Sequence, residues 1–537
     1  MLDVLIRNGR IVDGTGNPWF QGSVGIAGDR IVAVGAVEEI SRLTIDADDL
    51  IVCPGFVDMH VHADLALLSD PGREAQIRQG VTVEVIGQDG LSYAPVDDQV
   101  LAAMRTQLAS WNGIPPIDWG WRSVEDFLNT LDGSSETNAA YLLPHGTIRM
   151  LVMGMEDRPA TPAEMSRMCE LVETGMRQGA VGLSAGLTYA PGMFASDSEL
   201  VRLCSVVARE GGYFAPHHRN YGSRALEAYR ECIDIARASG VPLQLTHAHL
   251  GYRANRGRAA ELLALVDGAR SEGNDVSLDT YPYTAAATGL ATILPRWAQE
   301  GGEGSTLERL TDPVACRRLQ FELEVGGSDG YMGEPVDWRE VLVGSVVNEQ
   351  HAWTCGKSIL EIAQEGGKTP FQAYCGLLLA DNLGTGAVLY IGNEENVQTI
   401  MRHSAHMACS DGMYVGTHPH PRGFGSMARY LGHYVRDLGV LTLEEAIRHM
   451  TSSPARRLGF LDRGLIRAGM AADVVCFDPA TVIDTATYEQ PRSFAEGFHC
   501  VIVNGAVVLD QGELRPRIAG RVLRHQSRRG QHAMQSH

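Results

Sequence analysis

The sequence lacks several features that would each point to a particular class of protein. Its 10 cysteines are scattered and form no Cys-x-x-Cys pair. In a chain of 537 residues they do not make a disulfide framework, so a reducing cytoplasm is the expected location. No apolar run is long enough to span a bilayer, which argues against a membrane protein. The N-terminus, MLDVLIRNGRIVDGTG, has no basic stretch leading into an apolar one, so no secretory signal is read there. Positive charge is also scarce: Lys and Arg total 45 against 65 Asp and Glu, a formal net charge of -20. Such an acidic surface argues against nucleic acid as the main partner. Internal repeats and low-complexity segments are missing too. What remains is a long acidic globular chain, 44% hydrophobic and 20% charged, with room for one large and one small domain.

The two ends read alike. DVLIRNGRIVDG and GSVGIAGDRIVAVG near the start, and AADVVCFDP and CVIVNGAVVLDQGE near the end, are short alternating runs punctuated by Gly and Asp. That is the pattern of antiparallel strands and hairpins. A small β-sandwich domain built from residues 1–54 and 455–515 is expected, with residues 516–537 a solvated, partly disordered tail.

The middle, 55–454, alternates short β-rich runs with helical segments. The runs are GFVDMHVH, VTVEVIG, AAYLLPHG, AVGLSAGL, GYFAPHH, VPLQLTH, DVSLDTYPY and SAHMACSD. Eight βα steps predict a (β/α)8 TIM-like barrel of the α/β class. The interval between the seventh and eighth runs, about 284–398, is far longer than the others and needs structure of its own as a lid or inserted subdomain.

The ends of these runs carry the chemistry. The first ends in His60-Val61-His62, where strand alternation puts both imidazoles on one face. The second ends at Asp89, the fifth in His217-His218, the sixth in Thr246-His247-Ala248-His249, and the eighth in Ser410-Asp411-Gly412. In a barrel these ends share one rim, where barrel enzymes carry their sites. A lone histidine or Asp-Gly pair is ordinarily structural, but this many ligand types converging from five strands suits zinc or a similar divalent ion. The set is too rich for a closed four-coordinate structural site and fits one or two catalytic metal ions. Asp411, between small neighbours that leave room for substrate, is the candidate general base and acid.

PGFVDMHVH after an N-terminal β segment resembles the amidohydrolase superfamily. GLTYAPG, YPYTA, SDG, the long block HPRGFGSMARYLGHYVRDLGVLTLEEAIRHMTSSPARRLGFLDRG, and GMAADVVCFDP narrow the resemblance to the N-acyl-D-amino-acid deacylase (D-aminoacylase) family. It implies a zinc-dependent hydrolase (Zn2+, one or two ions) acting on a small N-acyl amide, with no nucleic-acid or membrane partner and with homo-oligomerisation left open. It implies His217 and His247 as ligands of the main zinc, His60 and His62 as the pair serving a second metal position, and Asp411 as catalytic base. It places Tyr189, Tyr281 and Arg422 toward the substrate.

Two departures stand out. The family carries Asn-Cys-Gly where this chain has Gln88-Asp89-Gly90, so a carboxylate replaces a thiolate ligand. A carboxylate has two oxygens and can bridge two ions. The family also carries a lysine where this chain has His249, and a neutral imidazole supplies no fixed positive charge for a substrate carboxylate. Opening of a cyclic amide, or attack on another amide, is therefore the rival reading. Arg219 is a candidate for a substrate carboxylate or, equally, for a local acid. His418 and His420 are read as loop structure, and Cys409, Cys355 and Cys375 as packing.

Overall fold

The computed structural model describes residues 1–69, 73–515 and 517–525. Eight parallel strands form the central sheet in sequential order: β1 (Phe56–Asp58), β2 (Val81–Ile86), β3 (Asn138–Pro144), β4 (Gly182–Gly186), β5 (Tyr213–His217), β6 (Leu243–Leu245), β7 (Val276–Thr280) and β8 (His406–Ala408). The sheet curls until its edges meet. The Met59 amide donates to the Ala408 carbonyl at 3.4 Å, the Asp411 amide to the His60 carbonyl at 2.7 Å, and Val61 forms a parallel bridge with Gly412. This is the (β/α)8 barrel that the alternation of runs predicts. Runs such as VTVEVI are buried at every position because helices cover one face and the barrel interior the other.

The outer helices begin and end where local chemistry dictates. Pro162–Arg177 starts on a capping box, in which Thr161 and Glu164 satisfy each other's backbone amides. Asp197–Glu210 starts on the Ser196 side chain and stops at Gly211, whose left-handed φ of 92° costs a residue without Cβ little. Each such cap is worth about 1 kcal/mol. The larger stabilisation comes from the apolar faces (Met168, Val172 and Met176; Leu200, Leu203 and Val207) buried against the strands.

Strands from both chain ends make one nine-stranded sheet. Ile51–Pro54 pairs antiparallel with Val474–Phe477, and parallel with Leu2–Ile11. Between β7 and β8 the chain builds a separate three-stranded antiparallel sheet (Ala286–Gly289, Val341–Ser345, Gly386–Leu389) with its own apolar core around Leu290, Trp338 and Tyr374.

Part of the C-terminal tail departs from the solvated reading. Val522 bridges Ala139, the Leu523 amide donates to the Ala139 carbonyl at 2.8 Å, and the His525 amide donates to Gly179 at 3.0 Å. Residues 519–525 therefore lie along the start of β3 and the approach to β4, and Leu523 packs, partly buried, against the barrel's lower core. The remainder of the expected tail, 516 and 526–537, lies outside the described residues. No described helix is long and apolar enough to cross a membrane.

Candidate functional site

Seven side chains from distant parts of the chain meet at the C-terminal rim. They are His60 and His62 just after β1, Asp89 after β2, His217 ending β5, His247 after β6, Asp411 after β8, and Arg422 at the start of the helix Arg422–Arg429. All seven are buried.

The backbone that presents them is unusual. Asp89, His247 and Asp411 have φ of 55°, 31° and 51°. Few non-glycine residues adopt this left-handed region, and they hold it only where their surroundings over-determine it. Those surroundings are visible. For Asp89, the Gly87 amide donates to Asp64 Oδ1 at 3.2 Å, the Gly90 amide to Ser184 Oγ at 3.0 Å, and Ser184 Oγ in turn to the Gly87 carbonyl at 2.6 Å. Gly186 is required opposite, because a Cβ there would stand 2.0 Å from the Asp89 carbonyl oxygen. The His247 amide donates to Asp279 Oδ1 at 2.6 Å. Beside Asp411, the Ser410 amide donates to Asp58 Oδ1 at 2.8 Å.

Asp89 lies at the centre. Its Oδ1 is 3.3 Å from His247 Nε2 and 3.5 Å from His60 Nε2; its Oδ2 is 3.3 Å from His217 Nδ1 and 3.6 Å from His62 Nε2. Asp411 Oδ1 is 3.2 Å from His62 Nε2 and 3.6 Å from His60 Nε2. Two ligands held tetrahedrally at about 2.0–2.1 Å from one zinc are separated by roughly 3.3 Å. The observed spacings match that figure. Several of the facing atoms are also buried without a hydrogen-bond partner: His60 Nε2, His62 Nε2, His217 Nδ1 and Asp411 Oδ1. Such groups are costly unless something satisfies them, and a cation would. Three triads each bring their ligand atoms within 4.8 Å of one another: His60, His62 and Asp89; Asp89, His217 and His247; and His60, His247 and Asp411. Asp89 belongs to the first two, and each of its oxygens faces one histidine from each pair. The donor set fits a bound divalent cation such as zinc.

The far sides of the ligands are held as well. Thr188 Oγ1 is 2.8 Å from His217 Nε2, and the Tyr221 hydroxyl is 3.0 Å from His247 Nδ1. These contacts select which ring nitrogen faces the centre. Burial pushes the His60 imidazole down to about 3, keeping its lone pair free. Burial alone would raise Asp89, but His217, His60 and His247 outweigh it and hold the carboxyl well below the usual carboxylate range. Asp411 is likewise held down against burial, chiefly by Arg422, whose Nη1 is 2.8 Å from its Oδ2.

The other expected site residues divide. Tyr189 lines the cavity beside the centre, its ring 4.7 Å from His217 and its hydroxyl 3.1 Å from Thr288 Oγ1. Tyr281 stacks on His249 at 4.2 Å and lies under the Arg422 guanidinium at 4.6 Å. His249 Nε2 is 2.8 Å from Thr280 Oγ1, and burial, with the charges of His247 and Arg422, pushes this imidazole down to about 3, so it is neutral. Arg219 does not join the cluster. It binds Glu231 at 2.6 Å and the carbonyls of Met193 and Ala195, and it lines a separate outer cleft. A cation beside a local acid pairs with that acid, which is the second of the two roles open to it. His420 is a loop-holding residue: its Nε2 is 2.9 Å from the Ala285 carbonyl, and its Nδ1 accepts from the Arg422 amide at 3.0 Å. Cys409 is fully buried in the barrel core.

Sequence reasoning missed Thr188, Tyr221, Asp64, Ser184, Asp279 and Trp111, whose ring lies 4.7 Å from that of His62. Thr188 and Tyr221 sit one to four residues from flagged positions, so proximity to a ligand was the available signal. Nothing in the sequence ties Trp111 to His62. The inserted sheet and its neighbours supply the outer cavity wall through Ile293, Tyr331, Met332, Leu389 and Ile391.

The chain resembles known proteins over nearly its whole length. A model of the amidohydrolase family matches residues 43–509. A D-aminoacylase of Alcaligenes xylosoxydans xylosoxydans is 35% identical over 530 residues, covering 97% of each chain. An N-acyl-D-glutamate deacylase of the same organism is 33% identical over 97% of this chain and 96% of that one. The fold superposes on the crystal structure of an N-acyl-D-glutamate deacylase from Bordetella bronchiseptica, complexed with zinc and a phosphonate inhibitor that mimics the tetrahedral intermediate. The TM-score is 0.84 and the identity 32%, covering 98% of this chain and 100% of that one.

Proposed function

The chain belongs to the amidohydrolase family, and from that premise we propose that it is a zinc-dependent deacylase, cleaving the amide bond of N-acyl-D-amino acids or related N-acyl compounds. The observation that carries this reading is the convergence of four histidines and Asp89 on one buried centre, with Asp411 and its Arg422 partner beside it.

In this reading His60, His62, Asp89, His217 and His247 hold the metal. Zinc held there would lower the pKa of a bound water to about 7 and polarise the scissile carbonyl. Asp411, ionised because Arg422 faces it, takes the water's proton and delivers it to the departing nitrogen. Arg422 keeps Asp411 aimed and charged. Tyr281 and His249 form a neutral stacked wall on the leaving-group side, and Tyr189 with the inserted segment excludes solvent. The unpaired state of all ten cysteines supports a cytoplasmic setting.

One observation favours the second reading, hydrolysis of a cyclic or uncharged amide. Arg422 is the single cation among the described residues lining the cavity, and it is already paired with Asp411. A panel of N-acetyl-D-amino acids, their L forms and cyclic amides, assayed with added zinc, separates the two. Turnover of the D-acyl compounds is expected, and activity on cyclic amides alone would refute the deacylase assignment.

A further inference from the structure

A second cavity adjoins the metal site. It spans roughly 900 Å³ of space, part of it open to solvent, and meets the first cavity at Tyr189 and Thr292, which line both. Its walls are mainly apolar: Leu91, Trp111, Met150, Met155, Ala291 and Leu383. Trp111 joins it to the metal ligands, with its ring 4.7 Å from His62 and 5.1 Å from Tyr189. The partition between the cavities is thus the Tyr189 ring, whose hydroxyl has one hydrogen bond, to Thr288.

The two cavities differ in chemistry. Asp411, Arg422, His249 and Tyr281 line the first and not the second, so the half of the substrate that leaves as the amine lies in the first. The second has one charged residue among its described lining, Glu303, at a rim it shares with the polar Gln299 and Asn382. A mainly apolar cavity that meets the metal-site cavity at the Tyr189 ring and ends at an acidic rim suits an uncharged aliphatic chain and disfavours an anionic one.

We propose that this second cavity is an acyl-chain site, and that the enzyme's preferred substrates carry a linear aliphatic acyl group of about six to twelve carbons. The proposal rests on the amide-hydrolase reading. The reaction is the same hydrolysis: the C–N bond breaks, the water oxygen joins the acyl carbon, the nitrogen takes the proton, and a medium-chain carboxylic acid is released.

The test uses full-length zinc-loaded enzyme and a series of N-acyl-D-leucines from acetyl through butanoyl and octanoyl to dodecanoyl. Burial of each methylene predicts a gain in kcat/KM of about threefold, carried mainly by KM, and so about 700-fold over the roughly six methylenes from acetyl to octanoyl. Ala291→Trp and Ala103→Trp each fill the second cavity without touching the metal cluster. In both, the octanoyl substrate is expected to lose at least about 30-fold while the acetyl substrate stays within about twofold. A flat or falling series in the wild type, or equal losses on both substrates in both variants, would overturn the proposal. If no N-acyl-D-leucine of any length is turned over, the deacylase reading fails separately, and calorimetric binding of decanoate decides the acyl site. Binding weakened about tenfold in Ala291→Trp would support the site; absence of binding to the wild type would refute it.

Discussion

The Asp411–Arg422 pair makes the assignment of the general base testable in two independent currencies. Asp411→Asn keeps the shape and removes the charge. The variant has no acceptor for the water's proton, and the loss of a positioned general base predicts a fall in kcat of about 10²–10⁴-fold. The same change strands the Arg422 guanidinium, which is fully buried and has no second ion-pair partner among the described residues. Leaving one member of a buried pair uncompensated costs about 3–5 kcal/mol. With about 2.1 cal/mol/K of unfolding entropy per residue over 537 residues, that cost lowers Tm by about 3–4 °C if the chain unfolds as one unit. The double variant Asp411→Asn/Arg422→Met removes both charges, so it should recover most of the lost stability and none of the activity. The measurements are turnover of an N-acyl-D-amino acid, scanning calorimetry, and zinc content by mass spectrometry, with zinc expected to remain because the four histidines and Asp89 are intact. A single variant within about tenfold of wild-type kcat, or a double variant that regains turnover, would refute the reasoning.

Three further outcomes follow from the same geometry. Asp89→Ala removes the carboxylate whose two oxygens each face two histidines, so zinc per chain at saturation should fall by at least one ion, and unchanged stoichiometry would exclude the shared-ligand role. Tyr221→Phe deletes the hydroxyl 3.0 Å from His247 Nδ1; zinc affinity or kcat/KM should drop about 10–100-fold with the circular-dichroism spectrum unchanged. At the opposite end of the barrel, His406 Nδ1 and His449 Nδ1 lie 3.1 Å apart, and burial pushes both imidazoles down. The charged form of each is less favoured in the folded protein than in the unfolded chain, which takes up protons below about pH 6.5, so stability is lost as pH falls below that value, by up to about 1.4 kcal/mol per pH unit for each histidine. Urea midpoints from pH 7.5 to 5 should show this slope, and His406→Phe should flatten it.

Much of the architecture was legible because it depends on short-range pattern. Eight β-rich runs alternating with amphipathic segments leave few arrangements besides a barrel, and all eight runs contribute a barrel strand. Arg219 was ambiguous for a physical reason: its partner Glu231 is twelve residues away on the next helix, and side-chain rotamers decide between that acid and the site. The tail was misread over 519–525 because composition alone cannot reveal that Ala139 offers backbone groups for pairing.

The chain by itself determined the kinds of ligand and the rim they share. Imidazoles at alternate positions of a strand end point the same way, and a carboxylate after a buried run has little else to do than turn or bind. Tertiary structure alone decided the rest. Closure of β8 onto β1 brought Asp411 to His62, and the loop after β2, held by Asp64 and Ser184, set Asp89 between two pairs of histidines. The Tyr189 ring, bonded through its hydroxyl to Thr288 of the inserted segment, divided the space beyond the metal site into two cavities. Those distances depend on contacts between residues far apart in the chain, and no local pattern carries them.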